Sequence, residues 1–119
     1  MNIWQYFRSI AASKRISAVL FIFRPGKDTD QAALNSCTGW VKHMGRFHES
    51  GTYEFALDAH LSKGCAEVIL LDAKKQQLMK LNQQSPAGKI DLAAKKYYLR
   101  WEFKSATGKC ALHWYKVSM

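Results

Sequence analysis

From Gly51 the chain alternates with a two-residue period. Tyr53, Phe55, Leu57, Ala59 and Leu61 fall on one side; Thr52, Glu54, Ala56, Asp58 and His60 fall on the other. An extended strand sends successive side chains to opposite faces, so this stretch reads as a β-strand with one buried face, and it needs partners. The same period governs the C-terminal part. Tyr97, Leu99, Trp101 and Phe103 alternate with Tyr98, Arg100, Glu102 and Lys104; Cys110, Leu112 and Trp114 then share one face of Lys109–Val117. Ser105-Ala106-Thr107-Gly108 separates the two runs and predicts a tight hairpin turn, with Gly108 able to take positive φ. Pairing Lys104 with Lys109 sets Phe103 against Cys110, Trp101 against Leu112 and Leu99 against Trp114 on the buried side. The outer side then carries Glu102–Ala111, Arg100–His113 and Tyr98–Tyr115.

Further strands are expected at Arg15–Arg24, Thr38–Phe47, Cys65–Asp72, Gln77–Asn82 and Lys89–Leu92, with a bulge near Gly45. Cys65–Asp72 is apolar on both faces, which predicts cover on both sides. Pro25 to Asn35 reads as a polar loop with a short helical turn at Gln31–Leu34, and Ser62-Lys63-Gly64, Ala73–Gln76 and Ser85–Gly88 read as turns or loops. Ahead of the strands, Ile3, Trp4, Phe7, Ile10 and Ala11 repeat as one helical face, with Asn2 as N-cap. The fold class is therefore mostly β: an antiparallel β-sandwich of seven or eight short strands over 15–117, with a short amphipathic helix at 1–13. The 119 residues, 48% apolar, suit one domain spanning 1–119, and 13% aromatic residues with two prolines do not describe a disordered chain.

Ile16–Phe23 is an unbroken run, mostly apolar, but it is eight residues long where a membrane span needs about 20. It reads as a buried strand, with no transmembrane span. Lys14 and Arg15 precede it in the manner of a signal peptide, yet Arg24-Pro25-Gly26-Lys27 offers no small-residue cleavage site, which favours a cytoplasmic location. Cys37, Cys65 and Cys110 show no metal-like spacing. They read as small, mostly buried thiols, with a Cys65–Cys110 bridge as the alternative in an oxidising compartment.

The net charge is +9, and it is uneven: residues 1–60 hold seven basic and five acidic side chains, residues 61–119 eleven and four. Ten of those eleven positives are lysines, and Lys63, Lys74, Lys75, Lys95 and Lys96 fall mostly at expected turns. Scattered solvated lysine explains the excess better than a phosphate-tracking groove. A basic nucleic-acid-binding β domain is the alternative function.

No catalytic motif is present: G-x-S-x-G, H-E-x-x-H, a P-loop and G-x-G-x-x-G are all missing. The expectation is a non-enzyme without cofactor or metal, its histidines, His43 included, lying at the surface. The outer hairpin face is the candidate contact site, with two rings and a guanidinium on one surface at Tyr98, Arg100, His113 and Tyr115. That face could pack under the N-terminal helix, meet a protein partner or second copy, or serve as a ligand platform. Protein or self-association leads among partners, carbohydrate stays open, and nucleic acid ranks below both.

The segments GTYEFALDAHLSKG (51–64), CAEVILLD (65–72), KYYLRWEFKSATG (96–108) and LHW (112–114) resemble small bacterial β-sandwich modules of the prepeptidase C-terminal and jelly-roll-like accessory kind. The resemblance spans roughly three-fifths of the chain and implies a secreted-type accessory fold. With the composition, it points to a non-catalytic binding or protein-interaction module.

Overall fold

The computed structural model describes residues 13–118. Seven strands form: β1 (Ser13–Ser17), β2 (Leu20–Pro25), β3 (Thr29–Arg46), β4 (Gly51–Leu71), β5 (Gln77–Asn82), β6 (Ala87–Leu92) and β7 (Lys96–Ser118). All pair antiparallel, in the order β1-β3-β7-β4-β5, with β2 also on β3 and β6 also on β4. Three strands are long, with 18 residues in β3, 21 in β4 and 23 in β7.

The long strands bend together at one level. Register shifts occur at Leu34–Gly39 in β3 and at Leu61–Cys65 in β4, and both face Phe103–Gly108 of β7. Leu34 and Leu61 both pair with Gly108, while Cys37 pairs with Ala106 and Lys63 with Thr107. A bulge bends its strand and increases its twist. Irregularities aligned across three neighbouring strands therefore fold the whole sheet over. One layer holds β2, the first halves of β3 and β4, the second half of β7, and β6. The other holds β1, the remaining halves, and β5. The result is a β-sandwich of two five-stranded layers whose central strands each belong to both, the corner device expected of such packings.

The inner faces make the core. Phe55, Leu57, Leu112 and Trp114 from the β2–β6 layer are buried, as are Val68, Leu70, Leu99, Trp101 and Phe103 from the β1–β5 layer. The Phe23 ring stands edge-on to Trp101 across the interface, with centroids 6.1 Å apart. One polar link spans the layers. Asp30, 0% exposed, accepts hydrogen bonds through Oδ2 from His43 Nε2 at 2.7 Å and Trp101 Nε1 at 2.9 Å.

The mostly-β antiparallel sandwich is present, but its strands are connected differently from the sequence reading. No hairpin forms at Ser105–Gly108: β7 runs through it, and the segment is the bend. Ser62-Lys63-Gly64 likewise lies inside β4. The Pro25–Asn35 loop and its helical turn are instead mainly the first half of β3, with the connection confined to Gly26–Asp28. The regular pairing of Met44, Gly45 and Arg46 with Tyr98, Tyr97 and Lys96 excludes a bulge at Gly45. Arg15–Arg24 divides at Ala18–Val19 into β1 and β2, which pair with different halves of β3. The helix expected over 1–13 lies outside the described residues, except that Ser13 begins β1. His43 is 1% exposed, a core residue and not a surface one. Among the described residues, no helix is long and apolar enough to cross a membrane.

Candidate functional sites on two outer faces

Strand alternation sends Tyr98, Arg100, His113 and Tyr115 outward, as expected, but the bend divides them. Tyr98 and Arg100 lie in the β1–β5 layer, paired with Met44 and Lys42 on β3 and with Leu71 and Ile69 on β4. His113 and Tyr115 lie in the β2–β6 layer, where His113 pairs with Thr29 and Ala56, and Tyr115 with Glu54. The layers pack through their inner faces, so the two outward pairs point away from each other. The Arg100–His113 and Tyr98–Tyr115 neighbours of the expected hairpin do not form, because β3 and β4 occupy both edges of β7 along its length.

On the β2–β6 layer the outer face carries a trough of about 380 Å³. Its floor is Ala33 on β3 and Ala111 on β7, and Gln31 and Asp58 flank Ala111 from the two neighbouring strands. Short side chains on central strands between long ones on either side leave a groove. Arg24 and Gln31 form one wall, Asp58 and His60 the other, with Lys109 at the end. Asp58 Oδ1 and His60 Nε2 are 2.9 Å apart, both exposed. The outward row of β7 continues from Ala111 to His113, whose Nδ1 lies 3.2 Å from Thr29 Oγ1, and then to Tyr115. Tyr115 is 54% exposed, and its hydroxyl donates to Glu54 Oε1 at 2.8 Å. That bond, with the carboxylate beside it, holds the phenol above its ordinary pKa and keeps it a donor. The face offers fixed donors, acceptors and one open ring.

The opposite face differs. The Arg100 guanidinium lies 4.6 Å from the centroid of the Trp40 ring, and its Nε donates to Glu102 Oε2 at 2.6 Å. Lys42 Nζ and Lys75 Nζ lie 5.5 and 5.3 Å from the centroid of the Tyr98 ring. Both rings are thus already occupied by cations. Trp40 and Lys42 were missed as site residues although the outward row of β3 made them legible. Gln31 and Ala33 gave no signal, because their segment reads as a loop.

The cysteines are three free thiols, Cys65 exposed and Cys37 and Cys110 buried. Cys65 sits on the β1–β5 half of β4, and Cys110 on the other half of β7 beside Ala32 and Ala59, so the alternative bridge is not formed. Burial, with Asp58 nearby, pushes the Cys110 thiol up to about 11. Among the described residues, no three His, Cys, Asp or Glu side chains are placed to hold a metal ion.

No family model matches the sequence, and no curated protein matches it. Solved structures do resemble the fold. A carbohydrate binding module (CBM6cm-2) from Cellvibrio mixtus lichenase 5A, in complex with cellotriose, superposes with a TM-score of 0.51 at 12% identity, over 87% of this chain and 90% of that one. TmCBM61 in complex with β-1,4-galactotriose gives 0.48 at 8% identity, over 89% and 90%. The enzymatically active domain of bacteriophage CBA120 tailspike protein 4 gives 0.46 at 10%, over 98% of this chain and 20% of that one. The first likeness defines the fold, and the other two are too distant to carry an argument. The chain is a jelly-roll-like β-sandwich, similar in fold to the Cellvibrio mixtus module.

Proposed function

We propose that the chain is a non-catalytic binding module that holds a neutral saccharide in the trough of the β2–β6 layer. The observation that carries this is the trough itself: an alanine floor, walls of Arg24, Gln31, Asp58 and His60, and the Tyr115 ring further along the same row of β7. A saccharide presents hydroxyls that both donate and accept, and flat C–H faces that lie well on an aromatic ring. A concave site with a few convergent polar groups suits it. The Cellvibrio mixtus module holds cellotriose, so this architecture is one on which a saccharide can sit. Nothing favours the nucleic-acid alternative, since the cations divide between opposite faces and no ring on the cationic face is open for stacking.

A protein or self-contact is the second reading, favoured by Val19, Leu20 and Ile22, which are 76%, 43% and 41% exposed at and beside the β2 edge. Calorimetric titration of the full chain with neutral oligosaccharides separates the two. Saccharide binding that weakens about tenfold in Asp58→Ala and in Tyr115→Ala, with unchanged thermal stability, supports the trough; about tenfold is the loss expected for one hydrogen bond to a charged acceptor. Absence of binding across a panel of neutral glycans, together with self-association abolished by Val19→Asp, a position outside the trough lining, replaces it with the protein contact.

A further inference from the structure

The β1–β5 outer face gathers positive charge at one point. Lys42 from β3, Arg100 from β7 and Lys75 from the β4–β5 connection converge around Tyr98 and Trp40. Like charges gathered this way repel, by about 1 kcal/mol per pair at 4 Å even in bulk water. A lysine on a loose loop would swing away. Lys75 is held instead by a built turn. Asp72 Oδ1 accepts from Lys74 N at 2.8 Å and Gln76 N at 2.9 Å, and Asp72 O accepts from Lys75 N at 2.8 Å. Lys75 itself sits at φ 66, a left-handed conformation uncommon for a side-chain-bearing residue. Burial, then the charges of Lys75 and Arg100, hold the Lys42 ammonium below its ordinary pKa. Among the described residues, neither Lys42 nor Lys75 has a carboxylate within ion-pair distance.

The charge is local. Towards the bend, Glu67 on β4 and Glu102 on β7 stand side by side in register on the same outer face. A polyanion tracking along the face would run into both carboxylates, whereas a single compact anion seated on the Lys42–Lys75 side of Arg100, away from Glu102, would not. The covered rings of Trp40 and Tyr98 also leave no platform for bases.

We propose that Lys42, Lys75 and Arg100 form a second binding site, separate from the trough, that takes one tetrahedral oxyanion of the sulfate type, free or carried on a saccharide. The anion sits among the two ammonium groups and the guanidinium and receives charge-assisted hydrogen bonds from them. Arg100 keeps its bond to Glu102 through Nε, which leaves its terminal nitrogens to reach the ligand.

The test is an NMR titration of the full chain with sodium sulfate against sodium chloride at equal ionic strength, followed by a sulfated oligosaccharide and its desulfated counterpart. The site predicts saturable sulfate-specific shifts at Tyr98, Lys42 and Lys75. It predicts affinity about tenfold lower in Lys75→Gln, restored in Lys75→Arg, and lost in the Lys42→Gln/Lys75→Gln double variant. Tyr115→Ala leaves the sulfate response unchanged, so failure of the trough does not register here. Equal affinity for inorganic sulfate and the sulfated sugar supports the site with a free anion as its source, and a tighter sulfated sugar supports it with a carried one. No shift at these residues, or an unchanged affinity in Lys75→Gln, overturns the proposal. So does a single-stranded oligonucleotide that binds through the same lysines more tightly than the sulfated sugar.

Discussion

Asp30 is the residue on which the interior turns. It is fully buried, and its Oδ2 takes two hydrogen bonds from side chains of the opposite layer, His43 and Trp101. Removing the carboxylate strands two buried donors, which costs far more than an intact hydrogen bond contributes. Asp30→Ala should therefore destabilise the fold by about 3 kcal/mol, read as a lower urea midpoint at unchanged m-value. Asp30→Asn retains a carbonyl acceptor and should lose less. The same residue explains why the sequence misleads here. Asp30, Ala32 and Leu34 form a buried alternating row, but its first member is an acid in the run PGKDTDQ, so the row reads as loop. No local rule announces an acid whose two partners lie 13 and 71 residues away.

Among the elements, the bend decides the architecture. The faces of β7 were legible: Tyr97, Leu99, Trp101, Phe103, Cys110, Leu112 and Trp114 are all buried, as the alternation requires. The connection was not. Ser-Ala-Thr-Gly supplies the positive φ that a hairpin needs, and an in-strand bulge needs the same. The choice between them rests on whether two other strands run alongside both halves, which is a non-local property. Gly39, Gly64 and Gly108 are all committed to this geometry, at φ 138, 75 and 139. A Cβ on Gly64 would meet the carbonyl oxygen of Ser105, and one on Gly108 that of His60, both rigid backbone. Gly108→Ala should cost about 2 kcal/mol or more in chemical denaturation, and Gly64→Ala a similar amount.

Across the whole molecule, the +9 charge acquires a location. Of the lysines expected at turns, Lys74, Lys75 and Lys95 do fall between strands, whereas Lys63 and Lys96 lie in strands, as do Lys80, Lys89, Lys104, Lys109 and Lys116. They divide between the outer faces, and the tightest gathering of cations surrounds Tyr98. Two candidate sites on opposite sides of one packed core share no side chain. Saturating the full chain with sulfate should therefore change its affinity for a neutral saccharide less than twofold, measured by calorimetry with and without sulfate at constant ionic strength. The four residues singled out from the sequence do touch both sites' surroundings, two on each side, because the alternation that identified them is local while the bend that parts them is not.

The placement of β7 also bears on how the protein is made. It is the last of the seven strands in chain order, and both layers are built around it. β3 and β4 do not pair with each other. Each needs β7 to satisfy one full edge. While the ribosome is still translating residues before 96, the nascent chain therefore carries two long apolar strands with unpaired backbone along that edge. Such edges readily template pairing with other chains. Closure of the sheet waits for the final strand, and the seconds before it arrives are when a molecule of this design is most in need of a chaperone.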